Sequence, residues 1–196
     1  MTDSSVIHDT FSIERTYPAA PSRVFAAFAS AEAKDAWGDT GEAESAEGDA
    51  GKQEFDFRPG GQELFGHKYQ GRTYRYEALY YDIVPDQRIV YSYEMYAGDA
   101  RISVSVATIE FAKSAEGTAL TYTEQGAFLD CLDAPDLRRE GTTEMLDNLT
   151  GYLARPVQER RLLAAQTARL GRSGQDAVLD GVVAADDHVR SDGRLE

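Results

Sequence analysis

Six segments between residues 54 and 128 alternate apolar and polar side chains, and turn sequences separate them. In the first segment Phe55 and Phe57 share one side and charged residues share the other, which is the period-2 pattern of a half-buried strand. The Pro-Gly-Gly sequence at 59–61 lets the chain reverse into a second strand over residues 62–67. Strands that follow one another through short turns pair most simply as an antiparallel meander with one covered face.

The remaining strand segments of this meander are rich in tyrosine, isoleucine and valine, residues that favour strands. Val104 and Val106 alternate with Ser103 and Ser105 in one of them. The four segments are residues 72–84, 88–96, 101–111 and 118–128.

One further strand segment and two helical segments flank the meander. Residues 11–17 are predicted as an opening strand, and residues 21–37 as a short helix with a break near Ser30. Residues 137–154 form a helical stripe of about 20 residues, which would span about 30 Å and cross a sheet. This order predicts an α+β fold in which two short helices follow the first strand and the last helix grips the concave face of a curved antiparallel sheet. The space between helix and sheet is where a ligand would bind.

The charge of the chain is strongly acidic and unevenly distributed. The formal net charge is -14; residues 1–154 hold 13 Lys/Arg and 27 Asp/Glu, and residues 155–196 hold 7 of each. Such a surface repels nucleic-acid phosphates and anionic lipids, so neither nucleic acid nor membrane insertion is predicted. Residues 38–51 carry five acids and no base, which predicts a solvated loop.

The pattern divides the chain into a flexible N-terminus (residues 1–9), one domain (10–154) and a C-terminal extension (155–196). In the extension Pro156 interrupts the closing helix, and the residues beyond it are predicted as one further short helix followed by a low-order tail. The alternatives are disorder throughout and a helix that docks a second copy in a homodimer. The extension is expected to be dispensable for the fold. The start of the chain lacks a secretory signal and Cys131 is the lone cysteine, so a cytoplasmic location is predicted.

Signatures of catalysis and metal binding are missing from the sequence. There is no Gly-x-Ser-x-Gly, Cys131 stands among acidic neighbours, and the three histidines have no metal-ligand spacing, so neither a metal nor a cofactor is predicted. Two residues are weak acid–base candidates. His67 either serves at a cavity mouth or faces water at a hairpin end. Glu124, in phase with Tyr122, either points inward as an anchor or reaches solvent where its strand ends. The sequence favours the solvent-facing alternative for both.

Aromatic residues on the strands suggest a binding surface, because tyrosine offers an apolar ring and a hydroxyl that needs a partner. Simple core packing is the alternative for any one of them. The predicted ligand-lining residues are Trp37, Phe55, Phe57, Tyr74, Tyr76, Tyr91, Tyr93, Tyr122, Glu124, Met145 and Leu149.

Four stretches carry a family resemblance: "AAPSRVFAAF", "FDFRPGG", "YEALYYDIVPDQRIVYSY" and "EGTTEMLDNLTGYL". Together they resemble the SRPBCC, or START-like, superfamily, and within it bacterial proteins similar to the C-terminal domain of the heat-shock-protein-90 ATPase activator. The resemblance covers about residues 10–154. It implies a helix-grip fold around a hydrophobic tunnel that binds apolar molecules, with cyclase or hydrolase chemistry in a minority of members.

Three functions are implied by the resemblance, in this order. The first is a non-catalytic carrier or sensor of a small apolar molecule, the second a protein-interaction module acting on a chaperone, and the third a cyclase- or hydrolase-like enzyme working through Glu124 or His67. Chaperone activation ranks lower because the family's activators use a separate N-terminal domain to engage the chaperone, whereas the predicted domain here begins at about residue 10.

Trp37 is the only tryptophan, and in the family its segment lies beside the cavity mouth. The residue is therefore either a lid, with its N–H toward water, or a hook that packs the two short helices onto the sheet.

Overall fold

The fold is an antiparallel sheet with three helices packed on one of its faces, which confirms the predicted α+β helix-grip architecture. The structure is a computed structural model that describes residues 4–38, 44–45, 53–69 and 71–155. The C-terminal extension beyond Arg155 and most of the acidic segment lie outside the described residues. In chain order the elements are β1 (Val6–Tyr17), α1 (Pro21–Phe28), α2 (Ala31–Gly38), β2 (Glu44–Ser45), β3 (Glu54–Phe55), β4 (Gln62–Tyr69), β5 (Arg72–Val84), β6 (Arg88–Ala97), β7 (Ala100–Ser114), β8 (Gly117–Leu129) and α3 (Pro135–Ala154).

The strands from β4 to β8 form the predicted meander, each pairing with the next along the chain. Across the described residues the sheet order is β1-β8-β7-β6-β5-β4-β2, and β3 also pairs with β4. The first strand is therefore placed beside the last, with Phe11 opposite Glu124. We call the side of the sheet that packs against the helices the inner face, and the opposite side the outer face.

The first strand begins earlier than the sequence predicted. Residues 6–9 belong to β1, so their assignment to a flexible N-terminus was wrong. They pair with the end of β8, where Val6 lies opposite Leu129. The pairing is extended by Ser5, whose N–H donates to Asp130 Oδ1 at 2.9 Å. The physical reason is that β8 runs on to Leu129 and offers its backbone groups to a partner strand.

Part of the acidic segment is also ordered against the sheet. Glu44 and Ser45 pair with Lys68 and His67 of β4, so the prediction of a solvated loop was wrong for these two residues. β4 would otherwise leave a row of unpaired N–H and C=O groups on that edge, which a passing segment can satisfy.

The Pro-Gly-Gly turn forms the predicted hairpin between β3 and β4, with Glu54 opposite Leu64. Gly60 has φ +81°, and a Cβ on Gly61 would lie 2.0 Å from the Asp56 carbonyl oxygen. Both glycines are therefore required by the backbone. The turn is also joined to β5, because the Gly60 N–H donates to the Tyr80 carbonyl at 2.7 Å. The hairpin thus positions β4 on the sheet.

The long helix α3 lies across the inner face and is fixed by buried contacts. Leu146 and Leu149 are fully buried on its sheet-facing side. The Tyr17 hydroxyl donates to the Leu146 carbonyl at 2.9 Å, which joins α3 to the end of β1. None of the described helices is long and apolar enough to span a bilayer.

An exposed glycine of α3 offers a test of the helix itself. A Cβ on Gly151 would meet nothing within 4 Å, so Gly151→Ala is expected to raise the free energy of unfolding by about 0.5–1 kcal/mol, because alanine loses less backbone entropy in a helix. Gly60→Ala is the contrasting variant and is expected to lose about 1 kcal/mol, because its φ is positive. Urea unfolding followed by circular dichroism measures both, and equal effects of the two variants would contradict the helix assignment at Gly151.

Candidate functional site

Five tyrosines meet on the inner face, and we call them the tyrosine belt: Tyr76, Tyr80, Tyr91, Tyr93 and Tyr122. The ring centroids of Tyr76 and Tyr93 are 5.1 Å apart, those of Tyr80 and Tyr91 are 5.8 Å apart, and those of Tyr91 and Tyr93 are 6.0 Å apart. The hydroxyls of Tyr91 and Tyr122 lie close enough for each to affect the pKa of the other. The belt thus forms a continuous aromatic surface from β5 across β6 to β8, with hydroxyls along it.

The hydroxyls of the belt stay protonated at neutral pH. Burial raises the pKa of each one, and at least one of the carboxylates of Glu63 and Glu124 raises it further. Each belt residue is therefore a neutral phenol that can donate one hydrogen bond and accept others.

Glu124 lies at the centre of the inner face and is 0% exposed. Its carboxylate accepts hydrogen bonds from Tyr93 Oη at 2.6 Å, Ser105 Oγ at 2.8 Å and Tyr122 Oη at 3.0 Å. The favoured alternative, in which the strand ends and Glu124 reaches solvent, was wrong, because β8 continues to Leu129 and is paired on both sides. The inward-pointing alternative, which was based on the alternation that Glu124 shares with Tyr122, was correct.

Arg138 of α3 completes the network around this carboxylate. Its Nη1 lies 3.5 Å from Glu124 Oε1 and 2.6 Å from Tyr93 Oη, to which it donates. Its Nη2 donates to Ser103 Oγ at 2.9 Å and to the Asp133 carboxylate. Burial opposes the charge on Arg138, but its hydroxyl and carboxylate partners outweigh burial and raise its pKa. A charged, hydrogen-bonded cluster therefore lies under the first turns of α3.

Small side chains on β7 make room for this guanidinium. Ser103 and Ser105 are buried on the inner face, whereas Val104 and Val106 are exposed on the outer face. The usual rule that apolar residues face the core would bury the two valines and expose the two serines. For this part of β7 the alternation alone therefore indicates the wrong face. The serines satisfy the buried charges with hydroxyl groups, which valine cannot do.

A second buried carboxylate, Glu63 on β4, was not recognised from the sequence. It is 6% exposed, and both of its oxygens lie 2.6 Å from Lys34 Nζ of α2. It also accepts a hydrogen bond from the Tyr80 hydroxyl at 2.5 Å. The available signal was its phase, because Glu63 shares the inward alternation with Phe65.

Comparison with known proteins agrees with this architecture. Residues 18–154 match the family described as "Activator of Hsp90 ATPase homolog 1-like protein". The chain belongs to the Activator of Hsp90 ATPase homolog 1-like family. The predicted SRPBCC-type resemblance is thereby confirmed. No curated protein matches the sequence.

Several members of this fold have solved structures. Mll3558 from Rhizobium loti is 47% identical, with 75% of this chain and 98% of that chain covered and a TM-score of 0.66. A putative uncharacterized protein from Rhizobium leguminosarum is 40% identical, with 79% and 100% covered and a TM-score of 0.70. CV1439 from Chromobacterium violaceum, at 22% identity, 75% and 98% coverage and a TM-score of 0.62, shares the fold.

Within the family fold, the predicted ligand residues divide into two groups. Phe55, Phe57, Tyr74, Tyr76, Tyr91 and Met145 keep some accessible surface. Trp37, Tyr93, Tyr122, Glu124 and Leu149 are buried. Met95, which was not predicted, lies on the inner face beside the first group and packs against the core.

Trp37 does not have the orientation expected of a lid. It is 2% exposed, and its Nε1–H donates to the Ala27 carbonyl of α1 at 2.9 Å instead of pointing toward water. Its ring packs edge-on against Phe28, with centroids 5.0 Å apart. These contacts join α2 to α1 and place the indole in the hydrophobic core, which agrees with the alternative of a hook that packs the two short helices onto the sheet.

His67 is distant from the Glu124 cluster, because β5, β6 and β7 separate β4 from β8. Its ring stacks between Phe65 and Tyr74, with centroid distances of 5.9 and 5.5 Å. Burial lowers the pKa of His67, so the ring is neutral at neutral pH. The ring is half-buried, and the structure does not combine His67 and Glu124 into one catalytic group.

The outer face carries a recess of about 570 Å³ formed by β1, β7 and β8, lined by residues that include His8, Thr10, Val106 and Gln125. None of the predicted ligand residues lines it. No group of three or more His, Cys, Asp or Glu side chains among the described residues is arranged to hold a metal ion.

Proposed function

We propose that the chain binds a small, largely apolar molecule on the inner face, between the tyrosine belt and α3, as a carrier or sensor. The observation that carries the proposal is that Tyr76, Tyr91, Met95 and Met145 pack against the core and still keep accessible surface. Side chains on a covered face that remain partly accessible are those a ligand can contact.

Polar groups beside this surface would orient such a ligand. The Tyr76 hydroxyl has no hydrogen-bond partner among the described residues, although burial raises its pKa and keeps it protonated. Tyr76 keeps accessible surface, so its hydroxyl is free to pair with a ligand on this face. The Glu124 carboxylate, in contrast, already accepts three hydroxyl donors. This supports binding rather than acid–base catalysis, because three hydroxyls and the Arg138 guanidinium already surround the carboxylate.

The proposal is tested with the neutral dye Nile red and the purified chain. Tyr76→Ala is expected to weaken dye binding by about 1–2 kcal/mol, because it removes apolar contact area from the inner face. Tyr81→Ala is the matched control, since Tyr81 is on the same strand but 56% exposed, and it should leave binding unchanged. Fluorescence titration measures both affinities.

Native mass spectrometry of protein purified from cells provides the complementary measurement, with a co-purifying small molecule as the expected result. Failure of Nile red to bind saturably, or equal weakening by both tyrosine variants, would contradict binding on the inner face.

A further inference from the structure

The inner face contains more negative than positive side chains. Glu63 and Glu124 are nearly or fully buried there, and Asp133 joins the same network through Arg138. The bases within these networks are Lys34 and Arg138. Three acids against two bases leave one net negative charge beside the tyrosine belt.

Both basic groups are already engaged by protein partners. Lys34 Nζ contacts both oxygens of Glu63 at 2.6 Å. The guanidinium of Arg138 donates to Tyr93, to Ser103 and to Asp133. The carboxylate of an anionic ligand would therefore find neither base free, and it would lie near buried groups of its own sign, which is unfavourable at low dielectric.

The same surface suits a positive charge. Tyr76 and Tyr91 each have a ring within about 6 Å of Tyr93, and the faces of tyrosine rings attract cations, more strongly when water is excluded. The protonated hydroxyl of Tyr76 can accept a hydrogen bond from an ammonium group. Arg138 already lies over the ring of Tyr93, 5.3 Å from its centroid, so one cation is held by this belt in the protein itself.

We propose that the ligand of this site is an apolar cation: a hydrocarbon or aromatic body that carries a protonated amine, bound with the amine among the belt hydroxyls and near Glu124. This inference rests on the proposed function and adds the sign of the ligand's charge. It separates the site from one for fatty acids, whose carboxylate would meet the net negative charge of the inner face.

Three probes of equal chain length test the inference on the full chain at neutral pH: decylamine, decanol and decanoate, each below its micelle-forming concentration. Isothermal titration calorimetry is expected to give the tightest binding for decylamine and the weakest for decanoate, about tenfold or more apart, because the probes share an apolar chain and carry head groups of opposite charge. Equal affinities, or tighter binding of decanoate, would overturn the inference while leaving the proposed function intact.

A charge variant provides the second measurement. Glu124→Gln keeps the side-chain shape and removes one negative charge, so it should reduce the preference for decylamine over decanol by about threefold or more. Glu14→Gln, on the exposed outer side of β1, is the matched control and should leave the preference unchanged. An unchanged preference in Glu124→Gln would contradict the placement of the amine.

The outcomes separate the two proposals. If none of the three probes binds but Nile red does, the inference fails and the proposed function stands; if Nile red also fails to bind, the proposed function fails as well. Circular dichroism checks that Glu124→Gln is folded, and if it is not, the three-probe comparison on the unmodified chain decides alone.

Discussion

Replacement of Arg138 by leucine is expected to lower the free energy of unfolding by about 3–5 kcal/mol, because removing one partner of a buried ion pair leaves an uncompensated charge. Glu124 is fully buried and its other partners are hydroxyls, which cannot neutralise it. Asp133 would lose the same guanidinium. Urea unfolding followed by circular dichroism measures the loss.

The control for this variant is an exposed ion pair that also joins α3 to the sheet. Arg15 and Asp147 are 2.7 Å apart with side chains 28% and 58% exposed, so Arg15→Leu should lose about 1 kcal/mol or less. Adding Glu124→Gln to Arg138→Leu should restore part of the lost stability, because the unpaired charge disappears. A loss in Arg138→Leu no larger than that of the control would show that the buried network contributes little.

Trp37→Ala is the second variant with a large expected effect, a loss of about 3–5 kcal/mol of unfolding free energy. The indole is 2% exposed and bonded to the Ala27 carbonyl, so truncation leaves both a cavity and an unpaired carbonyl. Far-UV circular dichroism during urea unfolding measures the loss, since the variant has no tryptophan emission.

Trp37→Phe is its matched control. The phenyl ring still packs against Phe28, although the variant loses part of this contact and the hydrogen bond to the Ala27 carbonyl. The free energy of unfolding should therefore fall by a smaller amount, about 1–3 kcal/mol. In the unmodified chain, saturation with a bound ligand should leave the tryptophan emission unchanged. A blue shift on binding, together with near-normal stability of Trp37→Ala, would favour the lid that the structure contradicts.

Much of the fold could be predicted because most strands and helices are specified by residues that are close together in the sequence. Turn residues and period-2 alternation separate β5, β6, β7 and β8 within the chain, and the stripe of apolar residues indicated α3, which was predicted over residues 137–154 and observed as Pro135–Ala154. The start of β1 was missed because Val6–Asp9 are ordered by β8, a partner far away in sequence.

The site was predicted less completely because charge pairs depend on tertiary structure. The alternation that Glu124 shares with Leu120 and Tyr122 indicated the inner face, although the solvent-facing alternative was favoured. Lys34 and Arg138 lie on helices, where a basic residue usually faces water. Their burial depends on what the sheet provides opposite them. Gly126 of β8 is an example of what the sheet provides opposite Arg138. A Cβ at Gly126 would lie 3.0 Å from Ser105 Oγ and would crowd the hydroxyl groups that surround the guanidinium.

The pairing of the first strand with the last has a consequence for synthesis of the chain. Ser5 and Asp130 are 125 residues apart, and a ribosome adds about 5–20 residues per second. Phe11 and Ile13, which β8 and α3 later cover, therefore leave the ribosome about 6–25 seconds before their partner strand is complete. During that interval β1 is an apolar segment with unpaired backbone groups, the form most prone to aggregation. The domain can close only when β8 has emerged, so a chain truncated before residue 117 would keep β1 exposed.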